Sequence, residues 1–348
     1  MAFAALPLTA YAEEPLDEYS VTANDRIGLN LYIDLNPAVR NTEKVTITYT
    51  NEALETVSNT YNVADLTPYH SEGNHTQYAF TVITAPALIG NPVTVSFDEG
   101  IAPLETSIVN YTSTILPTTD DDYLRYFCDW LEIYGLSAHY FFNKGEAFIP
   151  FGYESYEAEE TYFFEHNGLF TRPFEVYYGL SRSDIVERHY IPYESRIGYG
   201  HSNDFSSPIE TTGFSVDRVI YMAKAIPELR FYYTDIDEAQ AAEYNEQGIA
   251  VTGVDGITAR FMKDENENVF LEVTGILAEN AFDEITVSFG NNENSVKFAT
   301  YGAFTQHIYK VYLDSFGSYE ENLRFKGFTE YVWGYFNAAN AYFNYGNN

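Results

Sequence analysis

Phe127–Gly145, FCDWLEIYGLSAHYFFNKG, and Phe328–Gly346, FTEYVWGYFNAANAYFNYG, are one pattern written twice at an offset of 201 positions. They share Phe127/Phe328, Tyr134/Tyr335, Ala138/Ala339, Phe142/Phe343, Asn143/Asn344 and Gly145/Gly346. In each, apolar residues recur at i, i+4, i+7, i+11 and i+15: Phe127, Leu131, Tyr134, Ala138 and Phe142, then Phe328, Val332, Tyr335, Ala339 and Phe343. That spacing makes one stripe along an α-helix, and Ala138 and Ala339 leave room for a neighbouring helix to approach. Gly145 and Gly346 stand where a C′ glycine ends a helix. Thr119-Asp120-Asp121-Asp122 supplies an N-cap and charge suited to the helix dipole.

Two further matches fall in the same order. Leu29–Ile33 (LNLYI) aligns with Leu229–Tyr233 (LRFYY) at an offset of 200, and Val93–Phe97 (VTVSF) aligns with Ile285–Phe289 (ITVSF) at 192. Order and spacing together argue for two copies of one module, at 19–145 and 211–348. Each copy opens with period-2 segments (43–50, 78–83, 93–97; 215–222, 228–234, 257–263, 269–274, 285–289) separated by Gly, Asn and Asp turns, a strand pattern. Lys263–Asn268 reads as a hairpin loop between two of them. Each copy closes with a predicted helix pair, at 107–116 and 121–143, then at 299–314 and 320–345. The expected fold class is mainly β with α: two tandem antiparallel β-sandwich modules, each followed by an amphipathic helix pair. Read as independent units, the modules are expected to be destabilised separately by loss of the Tyr134 and Tyr335 rings. The connecting segment 146–210 carries Tyr153, Tyr156, Tyr177 and Tyr178 among many aromatics, too many for a flexible linker, and is expected to form strands.

The strings LNLYIDL, VTVSF, VNYTSTIL and YGLSAHYFF in the first half, with ELRFYYTD, ITVSFG, YGAFTQHIYKVYL and YFNAANAYFNYG in the second, carry a resemblance. The chain resembles, over about three quarters of its length, a repeat module of large secreted or surface proteins of anaerobic Gram-positive gut bacteria, whose helix ends near Tyr-Gly-Ala-x-Ala-x-x-Tyr-Phe. The resemblance implies a structural or interaction module and carries over no catalytic residue.

The chain has 348 residues, a length suited to about two domains. With 18 basic against 51 acidic residues its formal charge is −33, a field that repels phosphate backbones and anionic lipid, so nucleic acid is excluded as a partner. Residues 2–12 (AFAALPLTAYA) end in a small-x-small pattern before Glu13-Glu14 and read as the remnant of a secretory signal peptide cleaved before Glu13. No other stretch approaches the roughly 20 apolar residues that span a bilayer. The expected location is therefore secreted, extracellular or cell-surface associated, with no membrane insertion. Cys128 is the single cysteine, which precludes an intrachain disulfide, and it reads as a core residue inside an apolar helix.

No nucleophile, phosphate-loop or dinucleotide motif is present, and the seven histidines have no zinc spacing. Asp264–Asn268 begins like a calcium loop but has Val269 and Gly275 where Gly and Glu belong. No cofactor is therefore expected; a calcium site of another type is left open by the acidity alone. No catalytic residue is assigned. At 100° per residue, Trp333, Asn337 and Asn340 lie opposite the Phe328–Phe343 stripe, and a Trp with amides suits a sugar ring and its hydroxyls. The expected role is a secreted non-catalytic surface or adhesion-type protein with a polysaccharide, host glycan or protein surface as partner. The alternatives are a glycan-binding accessory protein using Trp333, Asn337, Asn340, Tyr153, Tyr156, Tyr177 and Tyr178, and an unrecognised hydrolase.

Overall fold

The computed structural model describes residues 16–22, 27–35, 44–51, 53–72, 75–98, 103–115, 118–142, 209–224, 227–300, 303, 328, 331–332, 334–340 and 342–343. The described residues are mainly β, in four antiparallel four-stranded sheets. The first sheet joins β1 (Leu16–Thr22), β2 (Gly28–Asp34), β6 (His75–Ile83) and β5 (His70–Glu72), in that spatial order. The second joins β4 (Thr56–Asn62), β3 (Lys44–Thr50), β7 (Val93–Phe97) and β8 (Leu104–Thr106). The third is β10 (Val216–Met222), β11 (Glu228–Tyr233), β14 (Val269–Thr274) and β13 (Thr258–Lys263). The fourth is β12 (Ala250–Thr252), β15 (Glu284–Phe289), β16 (Asn294–Ala299) and β9 (Glu210–Thr212). Helices are α1 (Ile108–Ile115), α2 (Asp122–Phe142), α3 (Glu238–Gln247) and α4 (334–340), with single 3-10 turns η1 (Val63–Asp65), η2 (Pro86–Leu88) and η3 (Ala278–Asn280).

The pairing registers repeat along with the sequence. β1 and β2 pair from Leu16↔Ile33 to Thr22↔Gly28 with an irregularity between Leu16 and Glu18. β10 and β11 pair from Val216↔Tyr233 to Met222↔Glu228 with the same irregularity between Val216 and Arg218, each position shifted by 200. Val93↔Thr106 of β7 and β8 becomes Ile285↔Phe298 of β15 and β16, both shifted by 192. Alternation explains the inner faces: Leu29, Leu31 and Ile33 are buried, as are Leu229, Phe231 and Tyr233. Rings bridge the sheets within each half, Tyr61 to Phe80 at 5.1 Å between centroids and Phe231 to Phe298 at 4.7 Å.

Local chemistry fixes the elements between. Asp121 Oδ1 accepts the backbone N–H of Tyr123 and Leu124, so Asp121 is the cap of α2 among the acids before it. The predicted loop after Lys263 is a tight turn, in which Asp264 Oδ1 accepts the N–H of Asn266 and of Asn268 and Glu267 takes φ 64°. Gly253 has φ 109°, and a Cβ there would overlap the Glu284 carbonyl, so only glycine permits β12 to enter its sheet.

The helix stripes meet each other. Tyr134 stacks on Tyr335 with centroids 4.9 Å apart and planes 24° apart, and these are equivalent residues of the two copies. Trp130 contacts its own equivalent, Tyr331, at 6.0 Å. Phe127 lies 6.0 Å from Tyr335, and the reciprocal pair Tyr134 and Phe328 is also 6.0 Å apart. Each copy thus presents the same patch to the other, the pattern of an isologous interface inside one chain. Tyr134 Oη further bonds Tyr221 Oη of β10 at 3.2 Å. Separate destabilisation of two units is corrected by this contact, because removing either ring strips a partner from the other half.

The match is not symmetric at Gly334. A Cβ on Gly334 would overlap the Cε3 and Cζ3 atoms of Trp130, whereas the first copy carries Ile133 at the position of Gly334 and the second carries Tyr331 at that of Trp130. Trp130, the larger ring, thus has a glycine against it at the position where the first copy carries Ile133. Gly334→Ile is therefore expected to lower the thermal midpoint strongly, an overpacking cost of about 1–3 kcal/mol or more. Adding Trp130→Tyr should recover much of that loss; equal midpoints for the single and double variants would contradict the packing.

Candidate functional site

Three places gather chemistry-bearing groups, and the first is the interior of α2. Asp129, Glu132, Ser137 and His139 are buried together with its apolar residues, so α2 has no solvent face from Tyr126 to His139. The Thr112 hydroxyl of α1 lies within hydrogen-bonding reach of Glu132 Oε1 and of the Val109 carbonyl, which share its one proton. Gly135 lets η2 close onto the helix, since a Cβ there would overlap the Ile89 side chain. Cys128 is fully buried, and burial, then the Asp129, Glu132 and Asp121 charges, pushes its thiol well above the ordinary range. A thiol held neutral in this way packs as a small apolar group. Burial likewise drives the Tyr134, Tyr221 and Tyr335 phenols far up.

The second place is the outer face of the third sheet. Arg218 lies 4.2 Å from the Tyr232 ring centre and Arg230 4.8 Å from that of Phe270, with the two rings 5.2 Å apart. Glu228 receives Lys224 at 2.6 Å and Arg230 at 2.5 Å, and Arg260 meets Glu272 at 2.7 Å. Burial alone would raise the Glu228 carboxyl; the hydrogen bonds from Lys224 and Arg230 outweigh it and hold the group below the usual carboxylate range. Cations and carboxylates here satisfy one another.

The third place is the corresponding face of the first sheet. Tyr32, which aligns with Tyr232, carries the Tyr69 ring at 4.8 Å instead of an arginine. Tyr32 pairs with Ala79 where Tyr232 pairs with Phe270, and Asn30 pairs with Thr81 where Arg230 pairs with Glu272. Thr81 Oγ1 donates to Asn30 Oδ1 at 2.8 Å. Tyr69 is 57 % exposed, and Ala79 and Thr81 are exposed beside it.

Tyr153, Tyr156, Tyr177, Tyr178 and Trp333 lie outside the described residues, as do residues 1–12 and nearly all of 146–210. Phe142 ends α2, but its side chain also lies outside them. Asn337 is 1 % exposed, and Asn340 Nδ2 donates to the Glu279 carbonyl of η3 at 2.7 Å. The outward Trp-and-amide face is thus corrected at both asparagines: α4 packs on η3 on the side that the helical wheel assigns to solvent. Tyr134, Ala138, Tyr335 and Ala339 are fully enclosed in the helix interface, with Phe343 packed at its margin. Tyr69 escaped the sequence reading because a lone exposed ring has no spacing to betray it.

Among the described residues no group of three His, Cys, Asp or Glu side chains is placed to hold a metal ion, and no helix is long and apolar enough to cross a membrane. The Asp264 turn is closed by its own hydrogen bonds, led by the Asn268 amide, which lower its pKa. A cavity between the first two sheets, lined by Leu29, Tyr49, Val82, Ile89 and Val93, measures about 10 Å3, room for a single water. No family model, curated protein or solved structure matches the chain.

Proposed function

We propose that the chain is a secreted, non-catalytic interaction protein of the surface or adhesion type, built of two tandem sandwich modules with appended helices, like the surface-protein repeat modules its sequence resembles. The observation that carries this reading is the pair of equivalent outer sheet faces, one closed by its own ion pairs and the other presenting an aromatic ring among neutral polar groups. Joining the copies through α2 and α4 gives a stiff body that displays such faces, an arrangement suited to contact rather than to chemistry. A net charge of −33 favours neutral glycans or basic protein surfaces as partners. The exposed Tyr69 ring on the first sheet favours a glycan-binding accessory role as the second reading.

The intact chain, incubated with immobilised polysaccharides and a host-glycan array, is expected to be retained without releasing new reducing ends. Release of reducing ends would overturn the non-catalytic reading.

A further inference from the structure

We infer that the free edge of β4, Thr56–Asn62, is where a second copy of this chain docks, the two β4 strands pairing antiparallel about a two-fold axis at Asn59. An exposed strand edge is a template for another strand, and chains guard such edges with short strands, irregularities, charges or proline. Every other edge strand among the described residues carries such a guard. β1 and β10 each have an irregularity and acidic residues, Asp17 and Glu18 in the first and Asp217 in the second. β13 carries Arg260 and Lys263, and β5, β8, β9 and β12 have three residues each. β4 has seven residues, TVSNTYN, with no charge and no proline, in a chain of net charge −33. Its pairing with β3 runs unbroken from Thr50↔Thr56 to Lys44↔Asn62, and its residues are exposed or half-buried.

Backbone geometry sets the pairing. The Asn51 N–H donates to the Glu55 carbonyl at 3.0 Å, so that pair is hydrogen-bonded, and alternation turns the amides of Val57, Asn59 and Tyr61 towards β3. Those of Thr56, Ser58, Thr60 and Asn62 point out of the sheet edge. A two-fold at Asn59 sets Thr56 against Asn62 and Ser58 against Thr60, so every outward residue finds both its bonds in the second copy. It also sets Val57 against Tyr61, the half-buried side chains of the strand, and Tyr61 already rests on Phe80 at 5.1 Å. On the other face Ser58 meets Thr60, extending the hydroxyl pairs Thr48–Ser58 at 2.8 Å and Thr46–Thr60 at 2.9 Å. Moving the axis to Ser58 or Thr60 shortens the seam and sets Asn59 against Val57 or Tyr61. Leu54, one of the two exposed large hydrophobic residues among those described, precedes the strand, and the two-fold brings it to Ala64 of η1 in the second copy. The occupant that fits is a strand of this same sequence, neutral throughout and matched residue for residue.

A single seam of this length is a small interface, below about 1,200 Å2, and the expected dimer is weak, with a dissociation constant of roughly 10–100 µM. Sedimentation equilibrium of the full chain should show a concentration-dependent dimer that tightens with added salt, because the acidic copies repel each other away from the seam. Cysteine cross-linking tests the register. Asn59→Cys sets its thiol opposite the same position of the second copy, across a non-hydrogen-bonded pair with Cα atoms about 4.5 Å apart, within disulfide range. Asn62→Cys, also exposed, lies about 20 Å from its counterpart, and Cys128 is fully buried and does not compete. Under oxidised glutathione Asn59→Cys should dimerise at least tenfold faster than Asn62→Cys; equal rates overturn the pairing. Ser58→Glu/Thr60→Glu should weaken the dimer at least tenfold with an unchanged melting temperature, and Ser58→Lys/Thr60→Glu, which sets opposite charges across the seam, should restore it. A chain that stays monomeric at about 500 µM overturns the proposal, as does a dimer indifferent to all the β4 substitutions.

Discussion

Tyr134→Ala is expected to lower the free energy of unfolding by about 3–5 kcal/mol, and Tyr335→Ala by a similar amount, as deletion of a fully buried aromatic ring does. The Tyr134 side chain stacks on Tyr335, meets the Phe328 ring and bonds Tyr221. Its substitution therefore removes ring area, opens a cavity between α2 and α4 and leaves the Tyr221 hydroxyl without that bond. Urea denaturation of each variant reads the loss as a shift in midpoint at constant slope. A loss below about 1 kcal/mol for either residue would place the ring outside a packed interface.

The second large effect is alkaline lability. Tyr134, Tyr221, Tyr233 and Tyr335 are buried, and burial holds each folded-state pKa above the ordinary value of about 10. A group whose folded pKa is raised contributes stability in full below its unfolded pKa and loses it as pH rises, because the unfolded chain releases the proton first. Four such phenols give a slope of roughly 5 kcal/mol per pH unit once the pH exceeds about 10. Melting temperatures should hold steady from about pH 7 to about pH 9.5 and then fall steeply, with phenolate absorbance from these tyrosines appearing only together with unfolding. Stability unchanged up to about pH 11.5, or titration of all the tyrosines in the folded state, would contradict their burial.

What sequence revealed follows the physics of one-sided burial. Strands with one apolar face were legible almost to the residue: Val93–Phe97 matches its predicted span, and Glu284–Phe289 begins one residue before the predicted 285–289. β4 was not, because only Val57 and Tyr61 are half-buried and the polar residues between them give no apolar alternation to read. α3 was missed for a like reason, as Ala241 is its only buried residue, although the Asp237 and Gln240 capping box was a usable signal. The α2 stripe was correct in every described member, yet a period names a face and never its neighbour, so nothing in the spacing said that Tyr134 meets Tyr335. Asn337 and Asn340 were misplaced because a helical wheel assumes one buried side, whereas α2 and α4 also pack on η2 and η3.

Whether the two copies share one interface is tested most directly by the coupling energy between Tyr134 and Tyr335 in a double-mutant cycle. Stacked rings of this kind contribute about 0.5–1.5 kcal/mol beyond their burial, and residues in contact couple by about 0.5–3 kcal/mol. The double variant Tyr134→Ala/Tyr335→Ala should therefore lose less than the two single variants together, by about 1 kcal/mol or more, in a single unfolding transition. Strict additivity, or two transitions each moved by one substitution alone, would show that the equivalent tyrosines do not meet.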